Sequence, residues 1–179
     1  GAGGSNSGDP TTAISLDNRW YVGFIDDAGG QSVSYSTDNG STWTSVVSGE
    51  LPPGGSLLDK NHMWIDNSPT SPYEGNLYNA WTAFGGTNDA EIEVSGSTDE
   101  GLTWSAQEEI SSAVSAGSHN QGVNIQTGPN GEVYIAWAVY DSWPSDETAI
   151  AMAISSDGGA TYSPATRIIN NIRGIRSTT

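Results

Sequence analysis

The stretch Ser36 to Trp43, "STDNGSTW", returns as "STDEGLTW" at 97–104 and, relaxed, as "SSDGGATY" at 155–162. The matched aspartates are Asp38, Asp99 and Asp157, so the steps are 61 and 58 residues. Three copies of one eight-residue pattern at near-constant spacing mark a repeat, and a repeat decides the fold before any single element does. Around the third copy, "QGVNIQT" (121–127) reads as a strand, "GPNGE" (128–132) as a tight Asn-Gly turn and "VYIAWAVY" (133–140) as a second strand. "DSWPSDE" (141–147) is a loop, "TAIAMAIS" (148–155) a third strand and "TYSPATRII" (161–169) a fourth.

The other two copies sit in the same frame. The middle unit runs "HMWIDN", an insertion "SPTSPYEG", "NLYNAWTAF", "EIEVSGS" and "TWSAQEEI"; the first runs "TAISLD", "WYVGFI", "SVSYS" and "TWTSVV". "LYNAWTAF" matches "VYIAWAVY" independently of the boxes. Four-stranded units repeated at this period predict an all-β chain of propeller blades, because one such sheet cannot bury both of its faces alone. The expected division is a flexible linker over 1–10, blades over 11–48, 62–111 and 120–170, and an inter-blade loop over 49–61. Residues 171–179 are then a tail or the start of a linker to a further blade.

Composition narrows the partners. The 179 residues hold no cysteine, which excludes disulfides, thiolate metal sites and a cysteine nucleophile. Twenty-one acidic residues face five basic ones, a net charge of −16, which repels phosphate backbones and disfavours anionic membranes. No apolar run is long enough to insert in a bilayer. The opening "GAGGSNSGDP" has no hydrophobic stretch and is read as a linker, the chain being excised from something longer. An exported, cell-surface, bacterial location is the expectation.

The boxes themselves read as staples. Each spans the turn between a third and a fourth strand, where an Asp can accept backbone N–H groups. Ser36, Ser97 and Ser155 open the turns, and Gly40, Gly101 and Gly159 supply left-handed backbone. Trp43, Trp104 and Tyr162 are then expected to pack between blades. The pattern resembles the Asp-box, or BNR repeat, of sialidase-type propellers, over nearly the whole chain. That resemblance implies a six-bladed ring with the boxes on the face opposite the active site. It also implies three arginines clamping a carboxylate, a Tyr nucleophile with a Glu partner, and an Asp acid/base. None of these carries over, since the arginines are Arg19 near a first turn and Arg167, Arg173 and Arg176 at the end.

Chemistry is therefore sought on the other rim: Asp26 and Asp27; Asp59, Lys60, Asn61 and His62; Asn88 and Asp89; His119, Asn120 and Gln121; and Asp141, Trp143, Asp146 and Glu147. Asp141 with Glu147, or Asp59 with Asp141, is a candidate carboxylate pair for glycoside hydrolysis. His62 and His119 read as equivalent positions at the start of successive blades, fit for a general base or a metal pair. No cofactor is required, although Asp141, Asp146 and Glu147 are candidate ligands for calcium. Trp143 reads either as a sugar-stacking or partner-contacting aromatic, beside Asp141, His119 and Asn120, or as a residue that folds back on its own loop. Two function classes follow. One is a non-enzymatic module binding glycans or proteins, or serving extracellular assembly. The other is a fragment of a sialidase-like glycoside hydrolase with its catalytic groups elsewhere. With three blades in hand, ring closure calls for self-association or for the remaining blades of a longer chain.

Overall fold

The structure, a computed structural model, describes residues 5–114 and 117–172. The first sheet holds β1 (Asn6–Ile14), β2 (Trp20–Asp26), β3 (Gln31–Ser36) and β4 (Thr44–Gly49). The second holds β5 (Gly55–Ile65), β6 (Leu77–Gly85), β7 (Glu91–Ser97) and β8 (Glu108–Glu109), and the third β9 (His119–Thr127), β10 (Val133–Tyr140), β11 (Ala149–Ser155) and β12 (Thr166–Asn170). All three sheets are antiparallel and ordered as in the chain. The all-β expectation holds, a 3-10 turn at Ser112–Val114 being the one helical piece among the described residues.

Two boundaries differ from expectation for one reason. The linker read over 1–10 is already strand from Asn6, and the inter-blade loop read over 49–61 is strand from Gly55. Both segments carry bulges, at Asn6/Gly8/Thr11 and at Asp59/His62. Asp9 and Lys60 take φ of 48° and 55° there. Bulge residues are polar and left-handed like turn residues, so a sequence reading mistakes them for loop. The fourth strand of the second blade is shorter than "TWSAQEEI" suggests, pairing only at Glu108 and Glu109. The end of the tail read over 171–179, from 173 onward, lies outside the described residues.

Inner strands β1, β5 and β9 lie side by side, so the blades fan out from them. Each pair of blades shares a core. Tyr21 and Val33 meet Met63, Ile65, Leu77 and Trp104 between the first and second. Tyr78, Ala80 and Val94 meet Ile125, Val133, Ile135 and Trp137 between the second and third. Trp81 and Trp137 are almost wholly buried, each contributing about 2–3 kcal/mol by removal of apolar surface from water. The insertion at 66–75 is a strap from the second blade onto the third. Asp66, fully buried, accepts from Ser68 N (3.0 Å) and Ser71 Oγ (2.6 Å), and Thr70 Oγ1 donates to Pro129 O at 2.9 Å. The Tyr73 ring then covers Gly131 and Gly158 so closely that a Cβ on either would lie 2.3–2.4 Å from it.

Candidate functional site

The box rim is built three times from the same bonds. Ser36, Ser97 and Ser155 each donate Oγ–H to the following Asp Oδ1 at 2.8 Å. The same hydroxyls accept from the N–H of Gly40, Gly101 and Gly159 at 2.8–2.9 Å. Asp38, Asp99 and Asp157 further accept from the backbone N–H and hydroxyl of Thr42, Thr103 and Thr161 at 2.6–2.9 Å. These bonds to the Thr residues hold all three carboxyls below the ordinary range, Asp157 down to about 2. Three bonds to its own turn commit each carboxylate to holding the chain. The turns also tie blade to blade: Tyr21 OH donates to Glu100 O at 3.1 Å and Tyr78 OH to Gly158 O at 3.0 Å. Burial pushes both phenols up to about 12, so they remain donors across the physiological range. Arg19 belongs to this rim as well, paired with the Glu100 carboxylate and lying over the Tyr35 ring.

On the opposite rim most of the candidates prove to be committed. Asp26 accepts from Ala28 N, Gly30 N and Ser32 Oγ at 2.9–3.0 Å, closing its own turn, while Asp27 is exposed beside it. Asp89 Oδ1 accepts from Gly85 N at 2.7 Å and does the same for the next loop. Asp59 lies inside β5 and accepts from Lys60 N at 2.8 Å, with Lys60 Nζ 3.5 Å away. Asn120 is fully buried, accepting from Trp137 Nε1 at 2.8 Å and donating to Glu91 Oε2 at 3.1 Å. It braces the core and is not a ligand contact.

The two histidines are not equivalent. The register sets His62 opposite Ala80, in mid-strand, and His119 opposite Tyr140, at the start of β9. His62 Nδ1 accepts from Ile125 N at 3.1 Å, fastening the second blade to the third, and burial lowers its pKa so that the acceptor nitrogen stays unprotonated. No pair forms between them, because the Asp59/His62 bulge belongs to a longer strand than the sequence suggested.

Asp141 is held by Arg167, whose two terminal nitrogens reach its two oxygens, and also accepts from Thr148 Oγ1 at 2.7 Å and Ser118 Oγ at 3.3 Å. The guanidinium and these bonds bring it down to about 2. That occupancy fits neither a glycosidic acid nor a calcium ligand, and no cluster of three His, Cys, Asp or Glu suited to a metal occurs among the described residues. Asp146 and Glu147 are half-buried in the same loop.

What the rim does present is aromatic. Trp143 stacks on His119 with centroids 4.1 Å apart and planes 10° from parallel. Tyr140 stands edge-on to both, and Phe84 of the neighbouring blade closes the far side of His119 at 5.7 Å. His119 is 8% exposed and Trp143 45%: the indole packs back on its own blade, as the second reading of it expected, and is partly exposed.

One buried group escaped the sequence reading. Glu93 is 2% exposed and accepts from Trp81 Nε1 (3.1 Å), Asn88 Nδ2 (2.8 Å) and Gln107 Nε2 (3.0 Å). Its partner across the ladder is Trp81, which faces the core, so the two share a buried face. Beside Gln107 a cleft of about 470 Å³ runs between Val47–Pro53 and Trp104–Gln107, at the outer edge of the first junction.

No family model matches the chain, and no curated protein matches it. Solved structures do. An α-L-arabinanase from Penicillium chrysogenum, solved with arabinobiose, superimposes with a TM-score of 0.62 at 13% identity over 90% of this chain and 49% of its own. A Hadza microbial sialidase gives 0.59 at 18% identity over 86% and 36%, and the leech intramolecular trans-sialidase 0.56 at 20% over 78% and 19%. The fold is a β-propeller. At these identities the likeness carries the architecture alone. The chain spans about half the length of the arabinanase and less of the sialidases, so its three blades form a partial propeller that needs other blades to close.

Proposed function

We propose that this chain is a non-catalytic segment of an exported, cell-surface propeller protein, and that its non-box rim binds glycans. The observation that carries the reading is the Trp143–His119 stack. A flat indole held against His119 and 45% exposed suits the apolar face of a sugar ring. The ligand class is uncharged oligosaccharides. A chain of net charge −16 repels acidic sugars, and Arg167, the basic group beside the platform, is already paired with Asp141. Among the structural neighbours, the arabinanase was solved with arabinobiose and a Phanerochaete chrysosporium galactanase with β-1,3-galactotriose, which supports a carbohydrate as the ligand class.

The rival reading is a fragment of a sialidase-like hydrolase whose catalytic groups lie on other blades. It is favoured by the partial coverage of hydrolase neighbours, 49% of the arabinanase and 36% of the sialidase. Titration of the chain with neutral arabino- and galacto-oligosaccharides, followed by Trp143 fluorescence and NMR, separates the two. Binding that weakens at least about tenfold in Trp143→Ala supports the platform. Turnover of any of these sugars by the chain alone overturns the non-catalytic reading, and shift changes confined to other residues overturn the platform.

A further inference from the structure

Trp143, His119 and Tyr140 belong to the third blade, but the floor under the indole is set from the second. Three ties cross to the start of β9 at this rim. Phe84, late in β6, lies against His119 with ring centroids 5.7 Å apart. The peptide that joins His119 to Asn120 donates its N–H to Ala90 O at 2.9 Å. The Asn120 side chain then donates from Nδ2 to Glu91 Oε2 at 3.1 Å, while its Oδ1 accepts from Trp137 Nε1 at 2.8 Å. A side-chain amide serves both partners at once, accepting from the indole and donating to the carboxylate. Asn120 is fully buried, so losing either bond strands a polar group away from water.

The second blade is shaped to offer its two acceptors side by side. Ala90 takes φ of 63°, a left-handed conformation that is costly for a residue with a Cβ. It is fixed there by donating its N–H to Ala83 O at 2.8 Å, while Glu91 N donates to Asn88 O at 3.1 Å. Backbone strain of this kind persists only where the surroundings over-determine it, and it gathers at ligand sites. Here it accompanies a carbonyl bonded to the neighbouring blade. The Glu91 carboxylate is also bonded by Ser111 Oγ, a fully buried hydroxyl that itself accepts from Ile92 N at 2.8 Å. His119 is therefore placed by Asn120, and Asn120 by the Ala90–Glu91 turn.

We propose that Glu91 is a positioning residue for the Trp143 platform. Through Asn120 it sets His119, the surface on which the indole lies, and it does so from across the junction between the second and third blades. Glycan binding and closure of that junction are then coupled: a sugar that grips only the assembled platform holds the two blades together, and a loosened junction weakens the sugar. The ligand in this coupling rests on the functional reading above; the placement of the rings by Glu91 does not.

NMR of the free protein tests the placement. In Glu91→Ala, checked for folding by circular dichroism, the ring-current shifts that His119 and Trp143 impose on each other are expected to collapse toward those of unstacked rings. Affinity for neutral arabino- or galacto-oligosaccharides is expected to fall about tenfold. Glu91→Gln, whose side-chain oxygen still accepts from Asn120, is expected to keep both. Unchanged shifts in folded Glu91→Ala, or equal losses in the two variants, overturn the proposal. The unsubstituted protein supplies a second test that needs no variant to fold. Sugar at about ten times its Kd should slow hydrogen exchange of the Asn120 N–H about tenfold, and bound sugar with unaltered exchange overturns the coupling. Collapsed ring-current shifts in Glu91→Ala, with no sugar bound by either protein, would sink the functional reading and leave the positioning role standing.

Discussion

The two rims of the propeller solve the same problem, reversing a β-chain, in opposite styles. On the box rim three turns use one set of bonds with distances that agree within about a tenth of an ångström from copy to copy. On the other rim each loop differs. Asp26 closes one turn, Asp89 another, and the third is a longer loop anchored by Asp141 and covered by Trp143. A turn whose carboxylate is tied three times to its own Ser and Thr residues serves to hold the chain. A loop held at its base, with an aromatic left open at its tip, has something to offer a ligand. The repeated rim is the scaffold, and the irregular rim is where binding can be selected.

The sharpest way to break that division is Gly159→Ala. At φ of 85°, with a Cβ placed 2.5 Å from the Tyr78 ring, the box cannot accommodate the methyl group without opening the second junction. The expected cost is about 3 kcal/mol, roughly 10 °C in Tm by calorimetry. Gly101→Ala, where the Tyr21 ring is 3.2 Å from the same point, should cost about half as much. Equal, negligible losses would mean the boxes are not staples.

A smaller effect tests whether the other rim is stapled too. Asp99→Ala removes the acceptor of three bonds on the box rim, and Asp26→Ala removes the acceptor of three on the other. Both are expected to lose about 1–2 kcal/mol in urea unfolding. A loss confined to Asp99 would confine stapling to the boxes. A match would show that only the loop carrying Trp143 is spared.

The same contrast explains what the sequence revealed. Boxes, second strands and blade number were legible because each repeat obeys the same packing rule, so Tyr21, Tyr78 and Tyr134 can be aligned without coordinates. The other rim was not, because its residues answer to neighbours distant in the chain: Asp141 to Arg167, Asn120 to Trp137, and His62 to Ile125. Those pairings depend on blade-to-blade contact and on bulges at Asp9 and Lys60 that read as turns. Trp143 was visible as an aromatic out of place and was grouped with His119, its stacking partner, although His119 was also paired with His62, which the structure does not bring to it.

Acid titration sharpens the comparison from both sides. Asp157 on the box rim and Asp141 on the other are each lowered to about 2 from 3.8. A depressed carboxyl contributes stability above its unfolded value, and that contribution is lost as pH falls through the folded one. Tm is expected to hold above pH 4 and to fall between 3.8 and about 2. In Asp141→Asn the fall should be shallower, with the platform loop loosening in NMR spectra at neutral pH. An acid loss that begins near pH 6 would point instead to His62, whose burial favours the neutral ring, so that stability drops once pH is below 6.5.

The smallest effect expected on stability is the most telling for function. Trp143→Ala removes one stacked pair at the solvent edge and leaves the Asp141–Arg167 anchor and the buried Tyr140 in place. The loss should be about 1 kcal/mol or less, a shift of roughly 2–4 °C. Gly159→Ala, by contrast, should leave any sugar binding by folded protein unchanged while lowering Tm several times further. If Trp143→Ala instead destabilises the chain as much as the box glycine does, the indole is part of the core, and the irregular rim is as structural as the regular one. If stability is nearly untouched while binding is gone, the two rims divide the work as their hydrogen bonds suggest.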